Sequence, residues 1–62
     1  MQLDQWMLAN GVSNNDLAKL INKDSSTVSS YRNKRRQPDL VTAVKIVKLS
    51  KDQITYKELL IK

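Results

Sequence analysis

The chain has one glycine, Gly11, and one proline, Pro38. So few residues suited to tight or left-handed turns leave no room for a chain of hairpins, a collagen repeat or a glycine-rich phosphate loop. At 62 residues it has the length of one small domain. Such a chain buries only roughly 60% of its unfolded surface. Small folds are often stapled, yet this one has no Cys and no His. Disulfides, thiolate chemistry and the usual zinc-ligand sets are thereby excluded. The side chains most used as nucleophile and general base near neutral pH are missing too. The six scattered carboxylates make no catalytic site. The sequence therefore does not read as an enzyme, and nothing in it asks for a metal, a cofactor or a small-molecule ligand. No apolar run nears the roughly 18 residues of a membrane helix, and no basic-then-apolar leader opens the chain. A cytoplasmic protein with no membrane partner is expected.

Charge is more informative. Eleven basic and six acidic residues give a net charge of +5. Residues 1–16 carry only Asp4 and Asp16. Residues 17–36 hold Lys19, Lys23, Arg32, Lys34, Arg35 and Arg36 against Asp24, a local +5. One third of the chain thus holds as much net charge as the whole. A concentrated basic block on a small domain is the footprint of a polyanion partner. The alternative is a solvated basic face kept for solubility.

Apolar spacing predicts helices. Leu3, Trp6, Met7 and Asn10 step by three and four, predicting a helix over 3–10 that ends at Gly11. Ser13 and Asp16 read as a capping box for a helix over about 14–21, with Leu17, Leu20 and Ile21 as its stripe. Asn22-Lys23-Asp24 reads as a tight turn, since Asn tolerates the left-handed region. Asp24 is a good N-cap for a helix over about 25–33. Pro38 and Asp39 open a fourth helix, with Leu40, Ala43, Val44, Val47 and Leu49 inward and Ile46 widening the stripe. Thr55 to Glu58 is a second capping box, predicting a short helix over 55–61 in preference to a strand.

The helix over 25–33 is the odd one. Only Val28 and Tyr31 are large and apolar; the rest is Ser25, Ser26, Thr27, Ser29, Ser30, Arg32 and Asn33. Serines are poor helix formers because their hydroxyls compete for backbone groups. A small, polar, uncharged face fits a groove without clash, and its hydroxyls can meet base edges. Arg32-Asn33-Lys34-Arg35-Arg36-Gln37-Pro38-Asp39 follows at once, with no apolar residue, and reads as an exposed basic loop.

Ser13 through Pro38 resembles the helix-turn-helix of the Cro and phage-repressor family. Leu17, Ala18, Ile21, Asn22, Val28 and Tyr31 fall where that motif wants its core residues and its turn. Ala18 is small enough for the next helix to cross closely. The chain departs from the family's usual glycines at Asn22 and at Lys34. The resemblance implies an all-α fold: a compact four- to five-helix bundle with a helix-turn-helix, as in lambda-repressor-like DNA-binding domains.

The resemblance also implies roles. The helix over 25–33 would lie in the major groove. Ser25, Ser26, Ser29, Ser30 and Asn33 would face base edges, with Asn33 alone able to bond adenine bidentately. Thr27 would meet the groove wall and its phosphates. Asn14, Asn15, Lys23, Arg32, Lys34, Arg35 and Arg36 would meet phosphates. Asp24 would serve as a cap. The implied partner is double-stranded DNA carrying a pseudo-palindromic operator, bound by a weak homodimer assembled on it. Candidate dimer contacts are Ile54, Tyr56, Leu59, Leu60 and Ile61. The chain's shortness favours a Cro-type repressor over a two-domain one. The rival reading is a protein-binding adaptor or antitoxin-like module that keeps the fold.

Overall fold

The computed structural model describes residues 1–60. They form five helices and no strand: α1 (Leu3–Asn10), α2 (Asn14–Ile21), α3 (Ser25–Arg32), α4 (Leu40–Leu49) and α5 (Tyr56–Leu59). The all-α bundle expected from the sequence is what the chain adopts.

Local chemistry sets the boundaries. α1 stops at Gly11, which takes φ 64°; the Val12 N–H then reaches back to the Met7 carbonyl at 2.9 Å. In the α2 capping box, the Asp16 N–H donates to Ser13 Oγ (3.1 Å) and the Ser13 N–H to Asp16 Oδ2 (3.2 Å). Asn22 closes α2 at φ 59°, and the Lys23 N–H bonds Ala18 O at 2.9 Å. Asp24 and Asp39 cap α3 and α4 by accepting from the Thr27 and Thr42 N–H groups, both at 3.0 Å.

Leu3, Trp6 and Met7 of α1, Leu17, Ala18 and Ile21 of α2, and Val28 and Tyr31 of α3 form one half of the core. Ala43, Ile46 and Val47 of α4, with Ile54 and Leu59, form the other. α2 and α3 make the most extensive helix pair, with Ala18 buried between neighbours as the motif requires.

Four expectations are corrected. Leu20 is 55% exposed, because Leu17, Ala18 and Ile21 already fill the inward face of α2. Leu40 is 74% exposed and Thr42 is buried in its stead. α4 turns Thr42, Ala43, Ile46 and Val47 inward, so Ile46 lies within the buried face, while Val44 and Leu49 are half-buried at its margins. α3 ends at Arg32 instead of 33: Asn33 is its C-cap, and Lys34 takes the left-handed φ of 60°. Last, α5 covers only Tyr56–Leu59 of the expected 55–61. Leu60 is already extended, and residue 61 lies outside the described residues.

α4 and α5 are joined by two consecutive left-handed residues, Lys51 (φ 53°) and Asp52 (φ 67°). Buried Ser50 stabilises that reversal. Its hydroxyl donates to Val47 O (2.9 Å) and accepts from the Ile54 N–H (3.0 Å). Ile54 and Leu59 are buried in the core. Of the apolar residues considered for a dimer contact, Tyr56 and Leu60 remain on the surface.

Candidate nucleic-acid interface

α3 turns Val28 and Tyr31 into the core and the opposite face outward. Burial pushes the Tyr31 phenol up, as suits a core ring and not a stacking platform. Ser26 and Ser30, and Ser29 and Asn33, are each four residues apart, so the four side chains share the outward face. Ser25, Ser26 and Asn33 are exposed; Thr27, Ser29 and Ser30 are half-buried.

The hydroxyls on this face are bonded locally. Ser26 Oγ donates to Asp24 Oδ1 at 3.2 Å, and Thr27 Oγ1 makes a short bond to the same oxygen. The hydrogen bonds from the Thr27 side chain and backbone hold the Asp24 carboxyl below its usual range. Ser30 Oγ donates to the Ser26 carbonyl (3.1 Å). Asn33 Nδ2 donates to Ser29 Oγ (3.4 Å). The Asp24 bonds cap the start of the helix, whereas the Ser30 bond back to the Ser26 carbonyl fits the helical backbone without strengthening it.

The basic residues fall into two groups. Lys23, Arg35 and Arg36 are exposed. Arg35 and Arg36 are held at the end of α3 by their N–H groups, which share the Ser30 carbonyl at 2.9 and 3.4 Å. Arg32 and Lys34 are half-buried and engaged within the protein. Arg32 Nε donates to Asp4 Oδ1 (2.7 Å), its NH2 pairs with the same oxygen, and its NH1 donates to Asn14 Oδ1 (2.7 Å). That guanidinium joins α1, α2 and α3. Lys34 Nζ donates to the Glu58 carbonyl, tying the exit of α3 to α5. The Glu58 side chain accepts from the Met1 amine at 2.6 Å. Asn14 and Asn15 are the first two residues of α2, Asn14 half-buried against Arg32 and Asn15 exposed.

Two of these partners carry no local sequence signal: Asp4, which lies 28 residues from Arg32, and the Glu58 carbonyl, a backbone group. No group of His, Cys, Asp and Glu side chains among the described residues could hold a metal ion. No helix among them is long and apolar enough to cross a membrane.

The arrangement is a helix-turn-helix: α2, a turn through left-handed Asn22, and α3 packed across α2 with its small polar face outward. The helix-turn-helix family model matches residues 3–49. The chain belongs to that helix-turn-helix family, of the Cro/CI type, and the family is one of DNA-binding transcription regulators. Searches of curated proteins and of solved structures find no significant match.

Proposed function

We propose that this protein is a sequence-specific repressor of the phage Cro kind. In this reading α3 lies in the major groove of double-stranded DNA. The bound protein occludes a promoter that overlaps its operator. The observation that carries the reading is the outward face of α3. It has small polar side chains and no charge between Ser25 and Ser30, and it is followed directly by exposed Arg35 and Arg36. Ser25, Ser26, Ser29, Ser30 and Asn33 are the proposed base-facing residues, with Thr27 at the groove wall. Lys23, Arg35, Arg36 and the Asn14-Asn15 turn are the proposed phosphate contacts. Arg32 and Lys34 complete the proposed set from within the protein, where each has more N–H donors than the bonds it makes there.

A pseudo-palindromic operator and a weak homodimer formed on it belong to the same reading, because one recognition helix reads only half a site. Leu40, Tyr56 and Leu60 are the candidate dimer contacts, exposed around a groove that Pro38, Ala43 and Leu59 also line. Titration of a selected operator and of random DNA across a salt series tests the proposal. Affinity should fall steeply with salt, with a slope near −0.9 per phosphate contact. Negligible affinity for DNA at low salt would favour the protein-binding adaptor instead.

A further inference from the structure

Hydroxyl groups can donate or accept, so a serine-rich face usually carries little information about the bases it prefers. Here the choice is restricted. A carbonyl accepts only, so the Ser30 proton is committed to the Ser26 carbonyl (3.1 Å). An ionised carboxylate accepts only, so the Ser26 proton is committed to Asp24 Oδ1 (3.2 Å). The Thr27 proton goes to the same oxygen. What Ser26 and Ser30 have left to offer outward is lone pairs. Asp24 is exposed, and the hydrogen bonds it accepts from Ser26 and Thr27 converge on Oδ1.

We propose that Asp24, Ser26 and Ser30 form an acceptor strip that reads the exocyclic amino groups of the major groove, N4 of cytosine and N6 of adenine. The inference rests on α3 being the groove-bound helix and adds the chemistry of the bases it selects. Those two amines are the only base donors in the major groove, whereas guanine presents N7 and O6, both acceptors. Guanine is normally read by Arg or Lys. No cation lies on this face, and the guanidinium of nearby Arg32 is turned to Asp4 and Asn14. Asn33 complements the strip. After one Nδ2–H goes to Ser29 it keeps an acceptor and a donor, the pair that matches adenine N6 and N7. Asp24 thus works twice: as the cap of α3, and as the group that turns two neighbouring hydroxyls into acceptors.

The test uses the full chain and an operator selected from random duplexes. Within the selected site, adenine is replaced by 2-aminopurine, which moves its amino group to the minor groove. Cytosine is replaced by pyrimidin-2-one, which lacks N4, and guanine by 7-deazaguanine, which lacks N7. The same replacements outside the site serve as controls. Removal of the amino group at the read positions should weaken binding about fivefold or more at each. Replacement of guanine should leave affinity unchanged. Ser26→Ala and Ser30→Ala should each bind one amine-deleted operator as well as the intact one, and neither harms the helix, since Ala is the better helix former. Asp24→Asn should tolerate guanine at a position where the parent protein rejects it, because its amide NH2 sets a donor where the carboxylate had only acceptors. Strong loss with 7-deazaguanine and none with the amine deletions would overturn the acceptor strip while leaving α3 in the groove. Absence of any selected sequence would overturn the groove-binding reading itself, and the strip with it.

Discussion

Arg32 has five N–H donors and spends three of its bonds inside the protein, on Asp4 and Asn14. Arg35 and Arg36 carry the same charge, and both are exposed. The two kinds of arginine should therefore respond differently to mutation. Arg35→Ala with Arg36→Ala should weaken binding to every DNA sequence alike and flatten the salt slope by up to about two units. A slope that does not change would take the loop off the DNA. Asp4→Asn should act in the opposite direction. The half-exposed pair contributes only about 0.2–1 kcal/mol, so urea midpoints should move little. The freed guanidinium should bind DNA more tightly at low salt, with a steeper salt dependence. An Arg32→Ala background should abolish that gain; persistence there would assign it to net charge alone. Nothing in the sequence announced this pair, because its members are 28 residues apart and only the packing of α1 against α3 brings them together. The basic residues themselves were plain to see. Which of them are spent on the fold was not.

Among the elements, α3 has the weakest intrinsic helix propensity and depends most on its surroundings. Val28 is fully buried, and Val28→Ala should cost about 2 kcal/mol in urea unfolding, by loss of burial and by the cavity left behind. In a core this small that is a large share of the total stability. The caps make a second, pH-dependent contribution. Asp24 and Asp39 are held below the ordinary carboxylate range chiefly by hydrogen bonds from Thr27 and Thr42, and Glu58 chiefly by the Met1 amine. These bonds favour the ionised form in the folded chain only. Their stabilisation is therefore full above the ordinary carboxylate pKa and is lost as pH falls through the lowered folded values. Melting temperature should hold from pH 7 down to about 5 and then drop on acidification. Asp39→Asn should melt lower at pH 7 and lose less between neutral and acid pH than the parent protein. Equal losses in the two would show that this cap contributes no pH dependence. Helix starts were legible because a cap acts over three residues of sequence: Ser13, Asp24, Asp39 and Thr55 all cap as read. Faces were less so. α4 has apolar side chains at Leu40, Val41, Ala43, Val44, Ile46, Val47 and Leu49, too many for periodicity to choose one stripe. Packing chose the stripe through Thr42 and Ile46, and left Leu40 and Val41 outside.

At the scale of the whole molecule the open matter is how two copies would share an operator. A stable interface of standard size takes about 800 Å² from each partner. That is nearly a fifth of this protein's 4156 Å² of surface. The groove beside α5 offers Leu40, Tyr56 and Leu60 at its rim. Three partly exposed side chains cannot supply such an area, because Ile54 and Leu59, the other apolar residues of that segment among the described residues, are used up in the core. A net charge of +5 on each copy adds repulsion in free solution. DNA removes both obstacles: its phosphates neutralise the charge, and two half-sites hold the copies at high effective concentration. The protein should therefore sediment as a monomer at micromolar concentration, bind a full operator cooperatively, and bind an isolated half-site poorly. Leu40→Asp should abolish the cooperativity and spare half-site binding, with little loss of stability, since Leu40 is 74% exposed. Sedimentation velocity of the free protein, with titrations of full and half operators, reads all three quantities. A tight dimer without DNA would mean that the groove buries more than its rim suggests. Two half-sites filled independently would mean that each copy reads its site alone, and that any palindrome in the operator comes from the DNA and not from contact between the proteins.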